Sequence, residues 1–119
     1  MISAIVAYGN QLQIGMDGQL PWHNPDDLKW FREMTMGKTC VVGYNTLKTL
    51  PELPGRNVVL DDIGLTPMQM WGVHGDLIII GGAKTYARWA PYIMRWHVGR
   101  IDSDAVGDTF FDLSWMVNR

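Results

Sequence analysis

Residues 77–89 read LIIIGGAKTYARW, and this stretch decides the fold. Leu77 to Ile80 are apolar at every position in a run too short for a helix, which is the pattern of a strand covered on both faces. Gly81-Gly82 frees the backbone to turn, and AKTYARW continues as a helix until Pro91 interrupts it. A strand covered on both faces needs helices on both faces, so the chain is read as α/β. The strand, Gly-Gly, helix order also offers backbone N–H groups to a pyrophosphate. Without a full G-x-G-x-x-G it falls short of the dinucleotide fingerprint.

Outward from this stretch the same alternation recurs. Ile2 to Tyr8 is a continuous apolar run closed by Gly9, Thr39 to Val42 ends at Gly43, and Val58 to Leu60 and Trp96 to Ile101 complete the strands. Asn45 or Thr46 starts a short helix. Residues 9–19 carry three glycines and little periodicity and read as a mobile loop leaving the carboxyl end of a strand, where open α/β sheets bind ligands. Residues 61–75 receive no element, and DSDAVGDTFF, 102–111, reads as a loop. The expected architecture is a single domain over residues 1–119, built on an open, mainly parallel sheet flanked by helices.

The chain's 119 residues are 47% apolar or aromatic, enough for one core. A formal net charge of -2 with scattered Lys and Arg provides no basic stripe, which argues against a nucleic-acid partner. The single cysteine, Cys40, cannot form an internal disulfide and sits in the apolar run TCVVG, where it reads as a small buried hydrophobe. His23, His74 and His97 lack ligand spacing, so no metal is expected. The N-terminal MISAIVAYG is too short to span a bilayer and has no positive flank, so no membrane partner is expected and the cytoplasm is the default location.

Chemistry concentrates in Leu20 to Phe31, LPWHNPDDLKWF. Asn24 is an N-cap and Pro25 a first helical residue, so a helix runs from here to about Thr35. At about 100° per residue Asp27, Leu28, Trp30, Phe31 and Met34 share one side, with Asp26, Lys29, Arg32 and Glu33 opposite. Asp26 simply complements the positive end of the helix dipole. Asp27 falls on the apolar side, where an unpaired carboxylate is costly, and is therefore a candidate proton donor or ligand anchor. Arg56, following the Pro54-Gly55 turn, either is solvated or clamps a carboxylate.

The order of these pieces resembles the dihydrofolate reductase family: MISAIVA, IGMDGQLPW, DLKWF, VVG, LPGRNVVL, IIIGGAKTY and IDSDAVGDTFF cover nearly the whole chain. The resemblance implies hydride transfer from a reduced nicotinamide to the dihydropterin ring of dihydrofolate, with protonation at N5. It makes Asp27 the group that holds the pterin and supports its protonation, and makes Trp22 the residue that orients a water beside it. Ile5, Val6, Ala7, Leu28, Phe31, Leu50, Leu53 and Ile80 would line the substrate pocket, with Arg56 on the substrate's glutamate carboxylate. Ala7, Ile14, Gly15, Leu20, Gly43, Tyr44, Asn45, Thr46, Leu60, Asp61, Ile80, Gly81, Gly82, Ala83, Lys84, Thr85 and Tyr86 would border the cofactor. Asp108 would steady the mobile loop.

Three departures from the family pattern change what is expected. Tyr44 and Asp61 stand where an Arg and a Ser commonly receive the 2′-phosphate, so NADPH is expected as cofactor with NADH also accepted. Gly99 stands where a Thr commonly bonds the catalytic carboxylate. The C-terminal hairpin is missing, and a strand and a helix between Leu60 and Asp76 are expected to be lost. The exposed sheet edge, together with LSWMVNR at 113–119, is then expected to mediate homo-oligomerisation. A pterin or pyrimidine reductase of the same fold and a non-catalytic folate or nucleotide binder are the alternatives.

Overall fold

The structure, a computed structural model, describes residues 1–117. The strands are β1 (Ile2–Tyr8), β2 (Gln13–Gly15), β3 (Thr39–Val42), β4 (Asn57–Leu60), β5 (Leu77–Gly81), β6 (Arg95–Arg100) and β7 (Thr109–Phe110). The helices are α1 (Pro25–Thr35), α2 (Tyr44–Leu47), α3 (Pro67–His74) and α4 (Ala83–Trp89), with 3₁₀ turns at Ala90–Tyr92 and Leu113–Met116. Five strands form one sheet in the order β4-β3-β5-β1-β6, and all four neighbouring pairs are parallel. The expected α/β architecture is therefore present.

Strand alternation divides the core into two layers. Ile2, Ala4, Val6 and Tyr8 point to one face of β1 and pack with Val41, Ile79, Met70 of α3, Tyr86 and Trp89 of α4, and Phe111. Ile5 points to the other face and packs with Cys40, Ile78 and the α1 side chains Trp30, Phe31 and Met34. Burial pushes the Cys40 thiol up to about 11, so at neutral pH it packs as a hydrophobe, as its apolar neighbours in sequence require.

The connections explain where a ligand can sit. The link from β3 leads outward to β4, whereas the link from β5 crosses beyond β1 to β6, so the carboxyl ends of β3 and β5 diverge at a switch point. The two turns are tied there by Gly43 N donating to Gly81 O at 2.8 Å. The helix following β3 starts at Tyr44, one or two residues before the sequence reading, because Gly43 already takes the N-cap conformation.

Residues 9–19 are more ordered than their glycines suggest. Gln13–Gly15 pairs antiparallel with Thr109–Phe110, and the wholly buried Gln13 side chain donates to the carbonyls of Ser103 and Ala105. This pairing joins segments about ninety residues apart in sequence, so no local periodicity announces it.

The helix expected to be lost after Leu60 is present as α3. Thr66 and Gln69 form a reciprocal capping box, Pro67 begins the helix, and Gly75 with φ 74° ends it. Those cap residues were visible in the sequence. No apolar stripe accompanies them: Met68, Trp71 and Val73 remain exposed, so the apolar residues of α3 do not gather on one side. Replacing Thr66 by Ala removes the side-chain half of the box and is expected to cost about 1 kcal/mol. The urea midpoint should fall with an unchanged m-value, and an unchanged midpoint would show that tertiary contacts alone hold α3.

Candidate functional site

Asp27 is placed by its own helix start. The Asn24 side chain accepts from Asp27 N at 3.0 Å, and Pro25 occupies the first turn, which fixes α1 and turns Asp27 toward the side that carries Trp30 and Phe31. Asp27 is 9% exposed. Burial raises its pKa above the ordinary 3.8, and the nearby Trp22 indole N–H opposes that rise. The same indole N–H is buried and makes no hydrogen bond of full geometry among the described residues. Trp22 therefore faces the carboxylate as an electrostatic neighbour with unused donor capacity.

At the other end of α1 stands a second unsatisfied group. Arg56 donates from Nη1 to Thr35 Oγ1 at 3.3 Å, and Thr35 in turn donates to Phe31 O at 2.8 Å, anchoring the guanidinium to the helix. Among the described residues Arg56 Nε is buried without a partner. Asp27 and Thr35 are eight residues apart on one helix, or about 12 Å along its axis. Between them α1 presents Phe31, half-buried, beside Ile5 and Ile80. An apolar helix side with a carboxylate near one end and a cation with a spare donor near the other suits a long ligand with a hydrogen-bonding head and an anionic tail.

Leu50 and Leu53 are half-buried and Leu28 is exposed. A hollow of ≈ 470 Å³ lies along Leu47, Leu50, Pro51, Glu52, Leu53, Pro54 and Val58. It shares two residues with the expected substrate wall but reaches neither Asp27, Trp22 nor Arg56, so it flanks the channel and does not contain its chemistry.

At the β3/β5 switch point the two helix starts approach closely. A methyl group on Gly43 would come within 2.5 Å of Thr85 Oγ1, and one on Gly82 within 2.7 Å of Thr46 Oγ1. Only bare backbone fits at Gly43 and Gly82 between α2 and α4, and with the Gly43 N–H given to Gly81 O, close backbone approach is what the two glycines provide. The loop over this region is pinned on two sides. Asp108 accepts from Asp17 N at 2.9 Å and from Thr109 Oγ1 at 2.9 Å, bonds that hold its carboxyl below the usual range, and Thr49 Oγ1 donates to Gly18 O.

Four expectations change. Val6 cannot line the channel with its side chain: β1 alternates, Ile5 and Ala7 share the α1 side, and Val6 packs into the opposite layer. Asp61 does not face outward from the end of β4. It is 8% exposed and accepts from Arg88 Nε at 3.1 Å and from Trp89 Nε1 at 3.1 Å, so its charge is neutralised inside the protein. Tyr86 is 4% exposed, stacked among Trp96, Phe111 and Trp115, with its hydroxyl donating to Ile5 O at 2.7 Å; it braces the core beneath Gly81. At Gly99 a Cβ would lie 3.1 Å from the Trp30 ring, so the indole occupies the room a larger residue would need. The sequence did not announce Arg88, which also donates to the carbonyls of Asp62 and Leu65 and holds that connection against α4.

The remaining expected cofactor-side residues lie where the strands end. Ile14 and Gly15 belong to the pinned loop and are half-buried, Leu20 is exposed, and Tyr44, Asn45, Leu60 and Lys84 are exposed on the outer side of the switch point, with Ala83 partly covered.

A family model described as dihydrofolate reductase matches residues 1–116. The chain is similar to the dihydrofolate reductase of Haemophilus influenzae, 32% identical over 128 residues that cover 95% of this chain and 80% of the relative. It is also similar to dihydrofolate reductase type 3 of Salmonella typhimurium, 32% identical over 130 residues covering 93% and 78%. Among solved structures, dihydrofolate reductase from Enterococcus faecalis complexed with NADP(H) and RAB-propyl superposes with a TM-score of 0.83 at 29% identity, covering 98% of this chain and 80% of that one.

The raised pKa of Asp27 has a consequence for stability. Above pH 3.8 the unfolded chain releases this proton before the folded one does, so folding stability falls as pH rises through the interval between 3.8 and the higher folded value, and the loss persists above it. Asp27→Asn abolishes that loss. The variant should melt higher than the parent at pH 7 and at the same temperature at pH 3, where the carboxyl is protonated in both states. Equal melting temperatures at both pH values would show that burial does not strain the carboxylate.

Proposed function

This chain belongs to the dihydrofolate reductase family, and we infer that Asp27 and Arg56 hold 7,8-dihydrofolate for reduction to tetrahydrofolate with NADPH as the reductant. The observation that carries the assignment of residues is the pair of groups at the two ends of α1: the buried Asp27 carboxylate near its start and, near its end, Arg56, held to Thr35 with its Nε unpartnered among the described residues. A pterin head with adjacent amino and ring N–H groups matches the carboxylate, and a glutamate α-carboxylate matches the guanidinium. Phe31, Ile5, Ala7, Leu28, Leu50, Leu53 and Ile80 would contact the rings between them.

The cofactor, when bound, supplies the hydride. The bare backbone at Gly43 and Gly82, flanked by Thr46 and Thr85, fits its pyrophosphate. Asp27 orients the pterin, and burial raises its pKa, which favours its holding a proton. The Trp22 N–H is free to hold a water between Asp27 and the substrate, which would carry that proton to N5. The bonds that hold Asp17 and Gly18 pin this loop, which would help keep substrate and cofactor in a fixed relative geometry. Trp30, packed over Gly99, shields the carboxylate side of the channel without adding a hydroxyl.

Dihydrofolate-dependent loss of reduced-nicotinamide absorbance tests this reading. Asp27→Asn preserves shape but removes the proton and the charge, so kcat/KM at pH 7 should drop by at least about 100-fold. Near-normal turnover in that variant would remove Asp27 from the mechanism.

A homo-oligomer formed through the sheet edge is also proposed. Among the described residues β6 pairs with β1 alone, leaving its other side available for strand addition. Trp115 and Met116 are not free for that contact because they pack on the core, and Asn118 and Arg119 lie outside the described residues. Two-fold antiparallel pairing of β6 sets Arg95 of one copy beside Arg100 of the other, so salt should strengthen the association by screening like charges. Sedimentation at tens of micromolar should reveal a dimer or larger species whose share grows with ionic strength; a single monomeric species at all salt concentrations rejects the proposal. A cytoplasmic location is proposed with it, supported by the absence among the described residues of any helix long and apolar enough to cross a membrane.

A further inference from the structure

The sheet has a second edge, on the side away from β6. Among the described residues β4 pairs with β3 alone. Asn57 N donates to Lys38 O at 3.0 Å and Asp61 N to Val42 O at 2.8 Å, so by the alternation of a parallel ladder Asn57, Val59 and Asp61 give their backbone groups to β3. The N–H and C=O groups of Val58 and Leu60 therefore point outward, away from the sheet.

Edge strands are normally blunted by a charge or a proline, and β4, with the sequence NVVL, has neither. The charges at its two ends are drawn into the protein: Arg56 is anchored on Thr35, and Asp61 is paired with Arg88 and bonded to the Trp89 indole N–H. Asp62 turns its carboxylate back to Gly64 N at 2.9 Å. Leu60 is exposed at the end of the strand, and the segment that follows leaves Ile63 84% and Val73 70% exposed, with Met68 and Trp71 exposed between them. Exposed apolar residues gathered in the segment beside an open strand mark an interaction surface.

We propose that this edge docks a second copy of the chain, β4 against β4, antiparallel about a two-fold axis through Val59. Two requirements fix that register: residues opposite one another must lie on the same face of the joined sheet, and outward backbone groups must meet. A centre at Val59 sets Val58 of each copy opposite Leu60 of the other, where every outward N–H and C=O group of both strands is bonded. A centre at Val58 instead leaves Leu60 opposite Arg56, whose N–H is already given to Leu53 O. So short a ladder buries far less than the about 800 Å² per partner of a stable dimer, so the exposed apolar side chains after β4 share the contact. Val58 pairs with Cys40 in the α1 layer, and the same register therefore brings Leu60 of the second copy to the rim of the hollow along Leu50 and Leu53. The hollow is then walled by both copies. This edge is independent of the β6 contact, because β4 carries no like charges for salt to screen.

The test is sedimentation of the whole chain at tens of micromolar and low ionic strength, where like charges keep β6 edges apart; a dimer is expected. Val58→Pro removes an outward donor and no bond to β3, a change an edge strand tolerates, and should leave a folded monomer under these conditions. Ile63→Asp, at an exposed position, should weaken the dimer about tenfold or more. Val59→Cys should form an intersubunit disulfide on mild oxidation, because the two side chains meet at the axis and Cys40 is buried. A monomeric parent at low ionic strength would overturn the proposal, whatever assembles at high salt. A dimer left intact by Val58→Pro and Ile63→Asp, and not cross-linked through Val59→Cys, would overturn it equally by placing the interface elsewhere.

Discussion

β1 and β5 are hydrophobic at nearly every position and must be covered on both faces, and this constraint organises everything else in the molecule. It sends α1 to one side of the sheet and α3 with α4 to the other. The crossovers between parallel strands leave their carboxyl ends as the edge on which turns, helix starts and loops converge. The site is a by-product of that layering. The candidate site lies along α1 and the sheet, beside the turns at Gly43 and Gly81-Gly82 that diverge from neighbouring strands.

Function is written mainly in groups left without partners. A folded interior satisfies its polar atoms, yet among the described residues Arg56 Nε is buried without a partner, Trp22 Nε1 reaches only the Asp27 carboxylate and without full hydrogen-bond geometry, and Asp27 is raised in pKa by burial. Each group is held by another interaction that does not consume its reactive capacity. Asn24 fixes the backbone of Asp27, Thr35 anchors one nitrogen of Arg56, and the aromatic layer around Trp30 fills the space next to Gly99. The stability lost to these unsatisfied atoms is balanced by the two apolar layers on either side of the sheet.

The region after β4 shows how a charged residue can change meaning between sequence and fold. Asp61 occupies a position that by strand order should meet a ligand, but its carboxylate closes a buried network with Arg88 and Trp89 that ties β4, the following connection and α4 together. A buried ion pair is a weak source of net stability. Its value lies in specifying one arrangement of β4, the following connection and α4.

Much of the fold was legible in the sequence because its signals are local. Continuous apolar runs mark β1 and β5, Asn24-Pro25 starts α1, Gly43 and Gly81-Gly82 mark the turns, and the 100° periodicity of α1 singles out Asp27; each depends on residues within about one or two turns of one another. The capping box of α3 was equally local and was overshadowed by the absence of an apolar stripe. Even the exclusion of Val6 from the channel follows from strand alternation alone. Only the tertiary structure could decide the fate of Asp61, whose partner Arg88 lies 27 residues away, the anchoring of Arg56 on Thr35, 21 residues away, and the ordering of Gln13 by carbonyls more than 90 residues distant or nearly so. Those contacts depend on which strands become neighbours, and no pattern within a single helix or strand encodes the identity of a partner across the sheet.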